Sequence, residues 1–374
     1  MPRQNSKTNS AKVKVALIFP NNLYTSPYLP YYTQILEKEM VLYDIISWNR
    51  NNTEETGTIA FSLQNKQGPK YLRILDYVKY RKFVIGILQK NHYDKLIVFT
   101  CQLGIYLQGY LQKNFSKNYI LDVRDYSPMV PYFQKKLDKL VKHAHSVNIS
   151  SNGFKTWLPK KGEYILSHNV NIQLVNDTLD TDGSVKSFFP SETTHVDTIG
   201  QIKDFGSDSR VVSELGGDTR FSLKFIGFGT TLSRLKEFVK EKAIENVVFM
   251  GSYKKEDEHN HLRKTDFINI LISDNTFNNQ VLSNRLYLSA LLNIPCLVNH
   301  YTVEQRQIIE KYQFGIIVEE YQQIPGKILD FRKNFNSSKF MEGCQAFLKK
   351  VSNDHQIFEK TLNEFIKTPN HVQR

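Results

Sequence analysis

The segment FSLKFIGFGTTLSRLKEFV, residues 221–239, decides how this chain is read. Its opening, FSLKFIG, is a short apolar run of strand character, and its close, LSRLKEFV, spaces Leu232, Leu235, Phe238 and Val239 as one face of a helix. Between them Gly227 and Gly229 supply a turn, and Thr230 or Thr231 stands where a helix cap belongs. Glycines let backbone approach a ligand closely, and the amino end of a helix offers unpaired N–H groups and partial positive charge to a diphosphate. A plain tight turn between strand and helix has the same sequence, so the neighbouring segments must decide.

Outward from this unit the pattern repeats. HVDTIG precedes it, and NVVFMG, FINILIS, IPCLVN and GIIVEE follow as strand-like runs, with NRLYLSALLN and VEQRQIIEKY as helical segments between them. The first half alternates in the same way: KVKVALIF, LYDIISW, DKLIVFT, YILDVRD and SVNIS read as strands, separated by helical stretches such as YLRILDYVKYRKFVIGILQK and QKKLDKLVKHAH. Short apolar runs joined by crossover helices predict parallel sheets, so the fold class is α/β, with two Rossmann-like doubly wound domains. Residues 171–194 lose periodicity and gather Asn, Asp, Thr, Ser and Gly, which predicts an interdomain connection. The tail from Phe340 reads as one or two amphipathic helices.

Composition agrees with a two-domain globular protein. The chain has 374 residues, 40% of them hydrophobic, enough for two cores. The start, MPRQNSKTNSA, is polar and the following VALIF is too short for a signal-peptide core or a membrane span, so the expected location is the cytoplasm. Three cysteines without a C-x-x-C pair read as buried thiols. The net charge of +12 is carried by one half: residues 1–172 hold 24 Lys and Arg against 11 Asp and Glu, and the remainder holds 25 against 26. Such a basic half suits a polyanion: nucleic acid, an anionic membrane or a diphosphate-bearing substrate. No helix-turn-helix, zinc finger or RNP-like segment accompanies the charge, so nucleic acid is not expected.

A second constellation is SNRLYLSALLNIPCLV, residues 283–298. Leu286, Ala290 and Leu291 form an inward face, which leaves Asn284 and Arg285 near the helix start for a ligand or, for the arginine, a surface ion pair. In the first half Asp125 follows Arg124 after YILDV, where it faces a substrate, caps a turn or pairs with the arginine. The histidines make no metal-ligand pattern with cysteine or carboxylate, and no metal or cofactor is expected.

The order of GFG, NVVFMG, TDFINIL, NRLYLSALLNIPCLV and YQFGIIVEE resembles the donor domain of family-4 retaining glycosyltransferases of the GT-B fold. Asn284, Arg285, Leu286, Tyr287 and Pro295 match in register a helix that in polysaccharide-building members reads like P-N-K-L-Y-E-Y-L-A-x-G-x-P. DVRDYSP, residues 122–128, is similar to the family's D-x-R-D-x-W-P, and SSNGFKTWLP with YILSHNVN resembles its S-x-G-F and N-G-V-D stretches. The resemblance implies two domains facing across a cleft. Residues 1–172 would form the acceptor side, 173–194 the linker and 195–345 the nucleotide-sugar donor domain, with helices in 346–374 packing back on the first domain.

It also implies transfer, with retention and without metal, from a nucleoside-diphosphate sugar to a hydroxyl of a lipid-linked (polyprenyl-diphosphate) oligosaccharide in capsule or other surface polysaccharide synthesis. Asp125, Arg285 and Lys203 become the candidate catalytic residues. Gly227, Gly229, Thr230, Tyr253, Asn284, Arg285 and Tyr287 become candidates for the donor nucleotide, and Arg124, His168 and Asn169 for the acceptor. Basic and aromatic residues in 77–90 and in the stretch YFQKKLDKLVKHAH suit peripheral contact with the anionic inner face of the plasma membrane. Two departures stand out. One is in the basic pair after the first donor strand, where IGQIKDFG offers Gln201 and Lys203 in place of the family's arginine and more distant lysine. Where the family carries two glutamates eight positions apart, the second holding the donor ribose, this chain has Gln280 and Leu288, and leucine accepts no hydrogen bond. A catalytically silent binding subunit of a transferase complex, or a sugar-nucleotide 2-epimerase, are the alternatives.

Overall fold

The computed structural model describes residues 13–64, 70–181 and 188–369. Its contacts divide the chain into two units, Met1–Ser150 with Phe154–Asn169 and His355–Arg374, and Ser151–Gly153 with Val170–Asp354.

The first unit holds strands β1 (Lys14–Phe19), β2 (Leu42–Asn49), β3 (Ile59–Ser62), β4 (Lys95–Phe99), β5 (Tyr119–Val123), β6 (Val147–Ile149) and β7 (Tyr164–Leu166). They form one sheet in the order β3-β2-β1-β4-β5-β6-β7, with every pairing parallel. Helices cover both faces of such a sheet, so its central strands are mostly apolar; all five residues of β4 are buried, Lys95 included. The short outer strands β3 and β7 escape the pattern analysis because each offers only three or four residues of periodicity. The core on one face joins Val15, Leu17, Tyr32, Ile97 and Phe99 to Phe358, Leu362, Phe365 and Ile366 near the end of the chain.

The second unit holds β8 (Thr194–Gln201), β9 (Phe221–Phe228), β10 (Val247–Gly251), β11 (Phe267–Asn269), β12 (Cys296–Asn299) and β13 (Gly315–Val318). Their order is β10-β9-β8-β11-β12-β13, again parallel. From β8 the chain winds one way through β9 and β10, then returns to the other side of β8 with β11. That reversal between β8 and β11 is a topological switch point, where the connecting loops part and leave a crevice at the carboxyl ends of the strands.

One sequence expectation needs correction here. Part of the expected linker is a helix, Ile172–Asp180, started by Asn171, whose Oδ1 accepts a hydrogen bond from the Gln173 amide at 3.0 Å. Ile172, Val175 and Leu179 recur at helical spacing, and the fully buried Val175 anchors them to the core of the second unit. Residues 182–187 of that stretch lie outside the described residues. The tail is one 31-residue helix, Ser337–Lys367. Phe340, Cys344, Phe347, Leu348 and Val351 on it belong to the core of the second unit, and its last four large apolar residues to that of the first.

Candidate functional site at the second sheet

The loops after β8 and β9 are pressed together. Gly200 pairs with Gly227 and Gln201 with Phe228, and the Ile202 amide donates to the Phe228 carbonyl at 2.9 Å. Gly227 has φ +139°, and a Cβ there would sit 1.9 Å from the Gly200 carbonyl oxygen. A Cβ on Gly229 would sit 1.9 Å from the carbonyl oxygen of Ile202. The two glycines are therefore required by the neighbouring backbone, whatever else their small size allows. Thr231 occupies the N-cap of the helix Leu232–Glu241, but its hydroxyl donates to the Ile202 carbonyl at 3.0 Å instead of capping. Thr230 is exposed. The amino end of this helix thus lacks a side-chain cap; the Leu232 amide donates to the Gly229 carbonyl at 3.3 Å, and the next two amides have no partner among the described residues.

Arg285 lies at the switch point. Ser283 caps its helix, Asn284–Leu291, by accepting from the Arg285 amide at 3.3 Å. The guanidinium then reaches across the strand ends: Nε donates to the Ile199 carbonyl at 2.6 Å, Nη2 to that of Gln201 at 3.0 Å and Nη1 to that of Asn269 at 3.2 Å. These carbonyls close β8 and β11, the two strands between which the winding reverses. Burial lowers the guanidinium's pKa, opposed by Asp208 and Tyr253.

Asp208, missed in the sequence, is buried in the first turns of the helix Phe205–Leu215, which follows β8. Burial pushes its carboxyl up to about 7, Arg285 pulls it down and Asp204 pushes it up further. Asp204 caps the same helix, its Oδ1 accepting from the Ser207 amide at 3.2 Å and from Ser273 Oγ at 2.5 Å, and its Oδ2 accepting from the Ser273 amide at 2.6 Å. A capping aspartate with a second aspartate four residues on was the signal available in KDFGSDS.

Tyr253 is half-buried and donates to Glu258 Oε1 at 3.0 Å; burial, with Glu258 beside it, holds its phenol above the usual range. Asn284 and Lys203 are exposed near these loops. Tyr287 is a correction: it is 1% exposed and stacks on Phe347 with centroids 5.8 Å apart, so it is a core residue and lines no open site. Gln280 gives its carbonyl to Ser151 Oγ at 2.5 Å. Leu288 packs against the core. Glu304 accepts from Ser151 Oγ at 2.5 Å, Asn152 Nδ2 at 2.9 Å and the Gly153 amide at 3.2 Å, which holds Ser151–Gly153 in the second unit. Among the described residues no three His, Cys, Asp or Glu side chains converge as metal ligands.

In the first unit the acceptor-side candidates are arranged differently from expectation. Arg124 is buried and pairs with Asp122, not Asp125: Nε donates to Oδ1 at 2.5 Å and Nη2 to Oδ2 at 2.7 Å. Its remaining N–H groups go to the Ser167 carbonyl and hydroxyl, both at 2.8 Å, and to Asn169 Oδ1 at 3.2 Å. With five donors and five bonds it is fully engaged. Arg124 therefore fastens β5 to the loop after β7 and has no donor left for a substrate, and it engages Asn169 through Oδ1. The missed partners are Asp122, Tyr32, which donates to Asp122, and Asn148, which donates to Tyr32 Oη at 2.7 Å. His168 is 7% exposed. Asp125 is exposed just past β5, near enough to Tyr28 to raise that phenol's pKa, after burial and Asp122.

No family model matches the chain, and no curated protein matches its sequence. Solved structures do. Sucrose-phosphate synthase from Thermosynechococcus elongatus superposes with a TM-score of 0.69 at 12% identity, over 94% of this chain and 99% of that one. HepE of Anabaena, solved in complex with UDP, gives 0.64 at 12% identity over 94% and 100%. The lipopolysaccharide outer core galactosyltransferase WaaB gives 0.62 at 13% identity over 95% and 99%. The chain thus has the α/β fold of the GT-B class, with two parallel-sheet units. A structure described as a glycosyltransferase from Rickettsia africae shares this fold too, with a TM-score of 0.66 at 11% identity over 96% of this chain and 100% of that one.

Proposed function

We propose that this protein is a glycosyltransferase whose donor is a nucleoside-diphosphate sugar, held at the carboxyl edge of the second sheet. One observation carries the reading: Arg285 is fixed by the carbonyls of Ile199, Gln201 and Asn269 at the switch point between β8 and β11. Those three bonds use three of a guanidinium's five N–H groups, so two remain for diphosphate oxygens. The uncapped amino end of Leu232–Glu241 and exposed Lys203 supply further positive charge. As the glycosyl bond breaks, negative charge grows on the leaving diphosphate, and donors already aimed at it lower the barrier without reorganising. Tyr253 flanks the base, and Asn284 and Thr230 reach the donor from exposed positions.

On the acceptor side, Asp125 at the end of β5 is the proposed carboxylate acting at the sugar, with His168 nearby in sequence order after β7. The acceptor is a hydroxyl of a lipid-linked oligosaccharide, and transfer proceeds with retention. UDP in the HepE complex and the lipopolysaccharide acceptor implied by WaaB's name point the same way. No helix among the described residues is long and apolar enough to cross a membrane. Contact with the inner membrane face is assigned to the basic first unit. A second reading, a silent binding subunit, is favoured by Leu288, which offers no acceptor to a ribose hydroxyl.

A thermal-shift screen of UDP-, GDP-, dTDP- and CMP-linked sugars tests the donor site, with a gain of about 2.7 kcal/mol expected at a hundredfold excess over Kd. No shift with any of them at millimolar concentration sinks the reading. Release of sugar from the stabilising donor separates an enzyme from a silent subunit.

A further inference from the structure

The first unit carries an arginine that the donor chemistry does not use. Asn49 closes β2, and Arg50 follows it directly at the carboxyl edge of the sheet. Its Cζ lies 3.9 Å from the centroid of the Trp48 ring and 5.1 Å from that of Tyr77. Both rings are themselves fixed. Trp48 is 2% exposed, donates from Nε1 to the Leu63 carbonyl at 2.9 Å and packs edge-on to Tyr77; Tyr77 stacks on Tyr106 at 5.0 Å. The backbone is held as firmly. The amides of Arg50 and Asn51 donate to Oδ1 of fully buried Asn22, at 3.0 and 3.1 Å, and Asn22 Nδ2 donates back to Asn49 Oδ1 at 2.8 Å. The loops after β1 and β2 are thereby locked together.

Stacking occupies the faces of a guanidinium and leaves its N–H groups, which lie in the plane, still in need of acceptors. Among the described residues none accepts a hydrogen bond from Arg50, and its Nε is shielded from solvent without a partner. Glu55, in the same loop, turns Oε1 to the Leu23 amide at 2.7 Å and makes no ion pair with Arg50. A shielded, unpaired donor is unfavourable unless an acceptor arrives from outside. A planar fork with its orientation fixed matches the paired oxygens of a phosphate or carboxylate.

We propose that Arg50 is an oxyanion receptor of the first unit, binding a phosphate or carboxylate borne by the molecule that receives the sugar. The receptor stands on its own geometry; only the assignment of its anion to the acceptor rests on the glycosyltransferase reading. Trp48 is a built-in reporter, because an anion drawn to the cation over its ring changes its emission. The protein has two tryptophans, so Trp157→Phe isolates the signal. The full chain carrying that change is titrated with inorganic pyrophosphate, inorganic phosphate and glucuronate. A saturable change in Trp48 emission is expected, weakened roughly tenfold or more by Arg50→Gln and less by Arg50→Lys. Stronger binding of the phosphates marks a phosphorylated acceptor, and stronger binding of glucuronate a sugar acid. Absence of a saturable response to all three, or an equal response in a folded Arg50→Gln or Arg50→Lys variant, overturns the proposal. A Trp48 response in a protein that no nucleotide stabilises would keep the receptor and remove the donor reading.

Discussion

Asp208 and Arg285 support each other's charge: the guanidinium pulls down a carboxyl that burial has pushed up to about 7, and the carboxylate opposes the lowering that burial imposes on the guanidinium. Both groups sit where β8 delivers its chain to a helix. Unlike Asp204, Asp208 receives no side-chain hydrogen bond among the described residues, so its proton is governed by burial and by these neighbouring charges.

The pH dependence follows from linkage. An ordinary aspartate ionises near 3.9, so between that pH and about 7 the folded protein holds a proton on Asp208 that the unfolded chain has lost. Stability from this group falls as pH rises through that window and is level above it. Asp208→Asn removes the dependence, so the variant gains on the wild type by about 1.4 kcal/mol per pH unit at most across the window. Urea titrations at pH 5 and pH 8 measure it. A bound diphosphate also favours the protonated acid, so UDP affinity should be higher at pH 6 than at pH 8 in the wild type and flatter in Asp208→Asn. Equal stability differences at both pH values would contradict the assignment.

Arg285→Ala should weaken nucleotide binding by about 1.5–3 kcal/mol, as for a charge-assisted contact. It should also lower the melting temperature without nucleotide, since three strand-end carbonyls lose their donor. Asp125→Ala should abolish transfer while leaving nucleotide affinity nearly unchanged. Calorimetric titration beside a transfer assay separates the two, and full turnover in Asp125→Ala would remove that residue from the mechanism.

Gly227→Ala should destabilise the second unit severely, by about 4 kcal/mol or more, because the new Cβ meets backbone that no rotamer can move aside. Gly200→Ala, at φ +99° but with open space where its Cβ would go, should cost only the backbone strain, about 1–2 kcal/mol. Differential scanning calorimetry ranks them. Similar losses in both would mean that the loops after β8 and β9 part easily.

The first unit should bind anionic vesicles and release them at high salt, where the screening length shrinks to about 3 Å at 1 M. Exposed Lys79 and Lys82 on one helix, and Lys135 and Lys136 on another, are the residues to reverse. Each cation near the surface adds about 1 kcal/mol, so charge reversal to Glu in pairs should abolish flotation. Binding that survives 1 M salt and all four changes would point to apolar insertion or a protein partner.

The fold was readable because its central strands are buried on both faces and announce themselves as apolar runs, as VALIF and KLIVF do. β3 and β7 were not, since an edge strand of three or four residues leaves almost no period to detect. Arg285 was found because it opens a helix with an apolar face. Its anchoring was hidden, because carbonyl acceptors carry no side-chain signal. Arg124 was misassigned for a related reason. DVRD offers two aspartates, and adjacency favoured Asp125, whereas the alternation of β5 carries Asp122 into the interior with Arg124. Tyr287 was drawn into the site by register with a family motif, although its place on the helix faces Phe347.

The helix Ser337–Lys367 bears on how the protein can be taken apart. A fragment ending at Asn169 would carry every strand of the first sheet yet lack Phe358, Leu362, Phe365 and Ile366, leaving an oily trench along Tyr32 and Phe99. Such a fragment should aggregate, and it should be rescued by grafting residues 355–369 onto it through a flexible tether. Ribosomal synthesis meets the same constraint: the strands of the first sheet emerge long before the helix residues that close one face of it.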